Sequence, residues 1–372
     1  MVNKMVNKMR SRLVYKFAKY PNNQNINEII DSALRLEKKL SFVNIDEISI
    51  SEYNSRYFGN YINTAEDRIL NLQKYCYILS WALEGLNKHK KNVILLDHGG
   101  GHGMMSLLAK EHGIGTVIHN DIYPISSEDA CKIGEFLNIR ADTYVPGTID
   151  DVIQYLNQNN MECDAIVSYD VIEHIYDIDD FLQKLHLLSP GRMSVFMGSA
   201  ANERNPFIDH RLKSMHRIFE NRDRAPKYGR KPTDATRAIK DLRREIIVKC
   251  SFNLSVDEIE SLTGLTRGMV VNDIHEVVEE YCKARVYPKP PLHPTNTCDP
   301  YTGNWFEHLM DPDQLVKTLN ATGFDTKVVS GYYNSPKNIP IKIIKSILNL
   351  IIRMMRKKGL FFAPYFILMA RK

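Results

Sequence analysis

The sequence lacks any Cys-x-x-Cys pair, although six cysteines are spread along its 372 residues. A disulfide scaffold and a thiolate metal site are both disfavoured by that spacing, and no metal ligand set is expected. Buried free thiols in a reducing compartment are the expectation. No apolar run reaches the roughly 18–20 residues of a membrane-spanning helix. The basic N-terminus has no uninterrupted apolar stretch of the secretory kind, so the cytoplasm is the expected compartment. Two nucleotide-binding signatures are also missing. No Gly-Lys-Ser or Gly-Lys-Thr closes a phosphate loop. The third glycine of a dinucleotide fingerprint is absent too: that position falls on Met104 counted from Gly99, and on Ser106 counted from Gly101.

What is present is an ordinary globular composition, 44% hydrophobic and 25% charged, with length enough for about two domains. One stretch stands out. The apolar run Val93-Ile94-Leu95-Leu96 is closed by Asp97-His98-Gly99-Gly100-Gly101-His102-Gly103 and followed by the helix-forming Met104–Lys110. An apolar run ended by glycines predicts a buried parallel strand. Strand, glycine turn and helix form the ligand-binding end of a doubly wound α/β sheet, where missing Cβ atoms let the backbone approach a ligand.

Asp97, Gly99, Gly101 and Gly103 fit Asp-x-Gly-x-Gly-x-Gly. This resembles the first motif of class I S-adenosylmethionine-dependent methyltransferases. Further positions keep the register. Thr116–Asn120 is predicted as a second strand with Asp121 at its end, where the resemblance implies a carboxylate on the ribose hydroxyls beside Ile122. Val145-Pro146-Gly147-Thr148-Ile149-Asp150 stands where the family's third-strand loop meets adenine. Cys163–Ile175, which contains Tyr169, Asp170, Glu173 and His174, resembles the fourth-strand motif. Its Asp-Val-Ile-Glu-His-Ile wording is closest to the quinone-biosynthesis O-methyltransferase-like branch. The resemblance covers about residues 91–200 well and 311–331 and 360–372 more weakly. It implies S-adenosyl-L-methionine as cofactor, held by Asp97, Gly99, Gly101, Gly103, Asp121, Ile122, Thr148, Ile149, Tyr169 and Asp170. His98 and His102 depart from the small or uncharged residues usual in the loop.

The chain reads as an α/β protein: a Rossmann-like doubly wound sheet with N-terminal helices and a large, mainly helical insertion. Residues 1–90 are predicted as helical, with helices at Val2–Tyr20 and about Thr64–Leu86. Met1–Lys4 is repeated as Met5–Lys8, so a start at Met5 is an alternative. Tyr53, Tyr57 and Tyr61 are placed where they could reach the site, with helix packing as their expected role. Residues 91–198 and 311–372 supply the sheet, with later strands predicted at Met193–Met197, Thr326–Ser330 and Pro364–Ala370. Residues 199–310 break the strand–helix rhythm and read as a substrate cap.

That insertion begins basic, with 14 Lys and Arg against 6 Asp and Glu from Arg204 to Lys249. Such a field attracts anions, and it is equally what a solvated helix face looks like. Leu254–Val271 resembles a DNA-binding helix-turn-helix, with cap Ser255 and turn glycine Gly264. Glu260 where the motif needs a small residue, Gly268 in the second helix, and a dearth of base-reading side chains speak against it. Nucleic acid is therefore disfavoured. The stretch Pro288–His308 mixes prolines, aromatics and polar groups without period. It reads as a substrate loop in which Asn296, Asp299 and Trp305 contact a small polar molecule such as a sugar or glycan unit. The catalytic base is expected among His174, His308 and His293. His174 and His308 are the candidates carried forward. Ile341–Lys358 has an apolar helical face with a basic rim. A helix covering the sheet is the expectation; peripheral membrane contact and a lipid-linked acceptor stay as alternatives. The oligomeric state is not legible. The expected function is O-methylation of a small polar acceptor, with a DNA-contacting regulator on the same fold as the contrasting reading.

Overall fold

The computed structural model describes residue 7 and residues 9–21, 25–224, 236–250, 253–289, 293–334, 336 and 338–372. The first unit comprises residues up to 172, 179–199 and 312–372. Its centre is a seven-stranded sheet: β1 (Ile94–His98), β2 (Thr116–Asp121), β3 (Thr143–Pro146), β4 (Ala165–Tyr169), β5 (Ser194–Ser199), β6 (Asp325–Ser330) and β7 (Phe366–Arg371). The spatial order is β3-β2-β1-β4-β5-β7-β6. The first five strands are parallel, and β7 runs antiparallel between β5 and β6. Leu95, Leu96, Val117, Ile118, Ile166 and Val167 are almost fully buried. This is the covering on both faces that makes parallel strands read as continuous apolar runs. The chain reverses its direction of growth between β1 and β4, so the loops leaving these two strands open a crevice at their carboxyl ends.

Helices α1 (Asn25–Leu40), α2 (Glu52–Ile62) and α3 (Ala65–Ala82) precede the sheet. A reciprocal capping box between Thr64 and Asp67 starts α3. The strand-connecting helices are α4 (Met104–His112), α5 (Pro124–Phe136), α6 (Ile149–Gln158) and α7 (Ile178–Lys184). The carboxylate of Asp129 on α5 accepts from Ser51 N at 3.1 Å and Asn54 Nδ2 at 2.9 Å, which fixes the entry of α2.

The helix predicted over Val2–Tyr20 is corrected. Part of it lies outside the described residues, namely 2–6 and 8, and helical backbone ends at Arg12. Leu13 and Tyr15 are both buried, and Tyr15 N donates to Tyr20 Oη at 2.9 Å. Beyond Arg12 the chain bends and turns, with Ala18 N donating to Tyr15 O at 3.2 Å. The alternative start at Met5 also lies outside the described residues.

The second unit comprises residues 173–178 and 200–311. It holds α8 (Pro206–Asn221), α9 (Ile239–Lys249), α10 (Val256–Leu265) and α11 (Val271–Ala284). Ile246, Ile247, Leu262, Ile274, Val278 and Tyr281 form its core. Beneath the long loop of residues 293–310 lies a buried polar knot. Arg243 pairs with Glu220 and donates to Thr263 O at 3.0 Å, and Thr297 Oγ1 donates to Glu220 Oε2 at 3.2 Å.

Two helices close the first unit: α12 (Pro312–Ala321) before β6, and α13 (Ile339–Met355) between β6 and β7. The expected covering role of α13 is corrected. Within it only Asn349 and Ile352 are buried, while Ile339, Ile341, Ile343, Ile344, Ile347, Leu350 and Met354 are exposed.

Candidate active site

The loop between β1 and α4 is built by its own residues. Asp97 is buried, and its Oδ2 accepts from Ser106 N at 3.0 Å and Ser106 Oγ at 2.7 Å. The carboxylate thus ties the end of β1 to the first turn of α4. Gly99 has φ +69°, and a Cβ there would lie 2.3 Å from Val171 Cγ2; both strain and collision demand glycine. Gly101 has φ +53°, and its nearest neighbour to a Cβ would be Tyr57 Cε1 at 3.9 Å. That is an ordinary contact, so at Gly101 the positive φ, not a collision, favours glycine. Gly103, φ +81°, begins α4.

His98 and His102 turn into the protein. His98 stacks on Phe181, with centroids 4.9 Å apart. His102 is enclosed by Tyr61 at 4.4 Å, Tyr57 at 5.0 Å and Phe58 at 5.4 Å. Desolvation holds both imidazoles neutral, with His102 lowered to about 3.

Asp121 ends β2 and is 8% exposed. Its Oδ2 accepts from Gly101 N at 3.0 Å and its Oδ1 from Tyr123 N at 2.9 Å. The carboxylate therefore joins two loops, and each oxygen keeps a second lone pair for a ligand hydroxyl. Ile122 beside it is exposed. Thr148 caps α6: its N donates to Asp151 Oδ2 at 2.7 Å, while Ile149 is buried. The Tyr169 ring lies against Gly198, where a Cβ would approach within 2.6 Å. Asp170 adopts φ +56° and its N donates to Gly198 O at 2.9 Å. All ten candidate cofactor residues lie in the first unit, at the carboxyl ends of β1, β2 and β4 or in the segments that follow β1, β2, β3 and β4.

Two further residues at this edge gave no signal in the sequence. Lys74 Nζ lies 4.1 Å from the Tyr169 ring centroid and 4.9 Å from that of Tyr75, a cation over aromatic faces. Burial holds the Tyr75 hydroxyl protonated, well above its ordinary range. Both sit on α3, whose sequence tells only that it is a helix.

The second unit gathers the other candidates. His174 Nδ1 lies 2.8 Å from Trp305 O, and His308 Nδ1 lies 2.8 Å from Thr295 O. A carbonyl only accepts, so each Nδ1 carries a proton, and Nε2 is the nitrogen left to exchange one. The Trp305 ring is 4.7 Å from His308 and stacks on Tyr176 at 5.4 Å, and its Nε1 donates to Tyr176 O at 3.1 Å. His293 stacks on His308 at 4.1 Å. Asn296 is buried, with Nδ2 donating to Arg267 O at 3.1 Å. Asp299 Oδ1 accepts from Tyr301 N at 2.9 Å and Thr302 N at 3.3 Å. The structure thus brings His174, Trp305 and His308 together, while Asn296 ties its loop to Arg267 and Asp299 shapes the turn that follows it.

The basic stretch is largely answered by acids. Arg204 pairs with Asp311, Arg211 with Glu307, Arg237 with Glu245, and Lys240 and Arg244 with Glu260. Residues 225–235 of that stretch lie outside the described residues. The helix-turn-helix resemblance is also revised. Gly264 lies inside α10, and the turn is made at Gly268, φ +87°. The following helix α11 carries Asp273, Glu276, Glu279 and Glu280 against one lysine, Lys283. A helix of that charge repels phosphates instead of binding them.

Buried neutral histidines set an acid limit. His102 titrates at about 3, and His112, His216 and His293 at about 4, each pulled down from 6.5 by desolvation. Between pH 6.5 and about 4 the unfolded chain therefore binds more protons, so stability is full above pH 6.5 and falls as pH drops through that window. The more buried His102, His112 and His216 each contribute a slope of up to about 1.4 kcal/mol per pH unit, and the partly exposed His293 less. Urea unfolding at a series of pH values should show the decline, and His102→Phe should flatten it. A stability unchanged from neutral pH to the lower end of that window would contradict the buried neutral assignment.

Residues 71–228 match a family described as a methyltransferase domain. No curated protein matches the chain. Among solved structures, PKMT2 from Rickettsia typhi is 15% identical, with a TM-score of 0.37 over 77% of this chain. The chain spans 50% of the length of that protein. A SAM-dependent methyltransferase from Archaeoglobus fulgidus is 15% identical, with a TM-score of 0.36 over 85% of this chain and 98% of that one. An S-adenosylmethionine-dependent methyltransferase from Mesorhizobium loti is 12% identical, with a TM-score of 0.36 over 75% of this chain and 91% of that one.

Proposed function

We propose that the chain is a class I S-adenosylmethionine-dependent methyltransferase, a reading supported by the match of residues 71–228 to a methyltransferase domain, and that it methylates oxygen on a small polar acceptor such as a sugar or glycan unit. The observation that carries the cofactor half is Asp121. It links the Gly101 backbone to the Tyr123 backbone while keeping lone pairs for a diol. S-adenosyl-L-methionine fits there, with Asp121 on the ribose and Gly99, Gly101 and Gly103 under the methionine end. Ile122, Thr148 and Ile149 line the adenine side, Tyr169 and Asp170 border the crevice, and Asp97 acts by holding the loop. When bound, the cofactor supplies a methyl group on a sulfonium, whose thioether is a good leaving group.

The acceptor half is assigned to the second unit. Its residues 173–178 leave the chain directly after β4, and residues 200–311 follow β5, the strand ends where ligands bind in such sheets. His174 is the proposed base: its Nδ1–H is held by Trp305 O, which orients Nε2 to take the acceptor hydroxyl's proton. His308 is the second candidate, with Nδ1 held by Thr295 O. Trp305 offers an aromatic face, and Asn296 and Asp299 shape the loop around it. A lipid-linked acceptor is a second reading, favoured by the solvent-facing apolar residues of α13.

Labelled methyl transfer from S-adenosylmethionine to fractionated metabolites and glycans tests the assignment. His174→Ala should lower kcat about a hundredfold or more while leaving cofactor affinity by calorimetry intact. The loss should be smallest at high pH, where hydroxide replaces the base. An undiminished kcat at neutral pH would move the role to His308. Incorporation into protein or nucleic acid alone would overturn the small-acceptor reading.

A further inference from the structure

We propose that the outer face of α13 is a docking surface for an anionic lipid bilayer. Ile339, Ile343, Ile347, Leu350 and Met354 are spaced three or four apart on one side of this helix. They are 69%, 55%, 54%, 47% and 74% exposed. That spacing makes a continuous stripe. A monomer rarely leaves such a stripe in water without a partner. The opposite side is anchored. Ile352 is buried, and Asn349 exchanges two hydrogen bonds with the Tyr333 backbone at 2.8 Å each. Lys345 Nζ donates to Asn334 Oδ1 at 2.6 Å. The anchoring directs the apolar side outward.

Charge names the occupant. From Thr326 to Lys372 the chain has ten Lys and Arg and no Asp or Glu. Lys342 and Arg353 border the stripe, and Arg356, Lys357 and Lys358 follow its end; all five are exposed. A second copy docking face to face would bring two basic rims together, which is repulsive. Anionic headgroups satisfy the rim while the headgroup–acyl boundary takes the isoleucines. At 17 residues the helix is about 26 Å long. Among the described residues no helix is long and apolar enough to cross a membrane, so α13 lies in the surface plane. This inference rests on exposure and charge alone, and stands whether or not a methyl acceptor is found.

Flotation of the full chain with vesicles tests it, using phosphatidylcholine alone and phosphatidylcholine with about a third phosphatidylglycerol. Binding should be at least about tenfold stronger to the anionic vesicles and should weaken at high salt. Ile347→Glu with Leu350→Glu should lower recovery about tenfold or more, with S-adenosylmethionine affinity unchanged as proof of folding. Met354→Glu, at the most exposed position of the stripe, is the milder variant if the pair fails to fold. Lys357→Ala with Lys358→Ala should weaken binding to the anionic vesicles only. No recovery on anionic vesicles overturns the proposal, as does full recovery of a folded glutamate variant. A solution dimer dissolved by the glutamates, without vesicle binding, would assign the face to a second copy and equally overturn it.

Discussion

Asp121→Ala is expected to weaken S-adenosylmethionine binding roughly tenfold to a hundredfold. The carboxylate has two tasks. It orders the glycine loop through Gly101 N and the following turn through Tyr123 N, and it presents its remaining lone pairs to the ribose. Hydrogen bonds to a charged group contribute about 1.5–3 kcal/mol, which corresponds to that range of Kd. Asp121→Asn separates the tasks. One amide oxygen still accepts from a loop N–H, but it has lost the charge and the second acceptor. Its affinity should fall between those of the parent and the alanine variant. Calorimetry giving Asp121→Ala the parent affinity would remove this residue from the site.

Arg243→Ala should be the most destabilising single change in the second unit. The guanidinium is 1% exposed and pairs with Glu220, which is 9% exposed. It also holds Thr263 O at 3.0 Å. Removing it leaves Glu220 buried with the Thr297 hydroxyl and the more distant Arg267, 3.8 Å away. Breaking a buried pair in this way costs about 3–5 kcal/mol, a large part of the stability of an ordinary domain. Arg243→Lys keeps the charge but not the forked geometry and should recover only part of the loss. Arg243→Met combined with Glu220→Leu should recover more, because neither charge is then stranded. Denaturant unfolding resolves the series, and a loss below about 1 kcal/mol for Arg243→Ala would show that the pair does not support the fold.

The sheet and its ligand edge were legible in the chain. The strands predicted to end at Asp97, Asp121 and Tyr169 are β1, β2 and β4, and Gly99, Gly101 and Gly103 have positive φ. These features are local: a buried parallel strand needs consecutive apolar residues, and a left-handed turn needs glycine, wherever the rest of the chain goes. The turn expected at Gly264 lies at Gly268. Both are glycines near a helix end, and only the backbone shows which one is left-handed.

Partnership was not legible. Nothing in α3 marks Lys74 as the residue that meets the ring of Tyr169, since the two are separated by almost a hundred positions and join only when α3 packs on the sheet. The same holds for Glu220, Arg243 and Thr297, ordinary polar residues in sequence that become one buried knot. The basic surplus of residues 204–249 looked like a field until Glu260, Glu307 and Asp311 from outside that stretch were found beside it. Helix α13 draws the line most clearly. Its periodicity determines that one side is apolar and the rim basic. Whether that side is covered depends on how α13 is anchored through Asn349 and Ile352, and the tertiary structure turns it to solvent. Periodicity fixes which residues share a face, because it follows from backbone geometry. What a face touches follows from the packing of distant segments, and no local pattern encodes it.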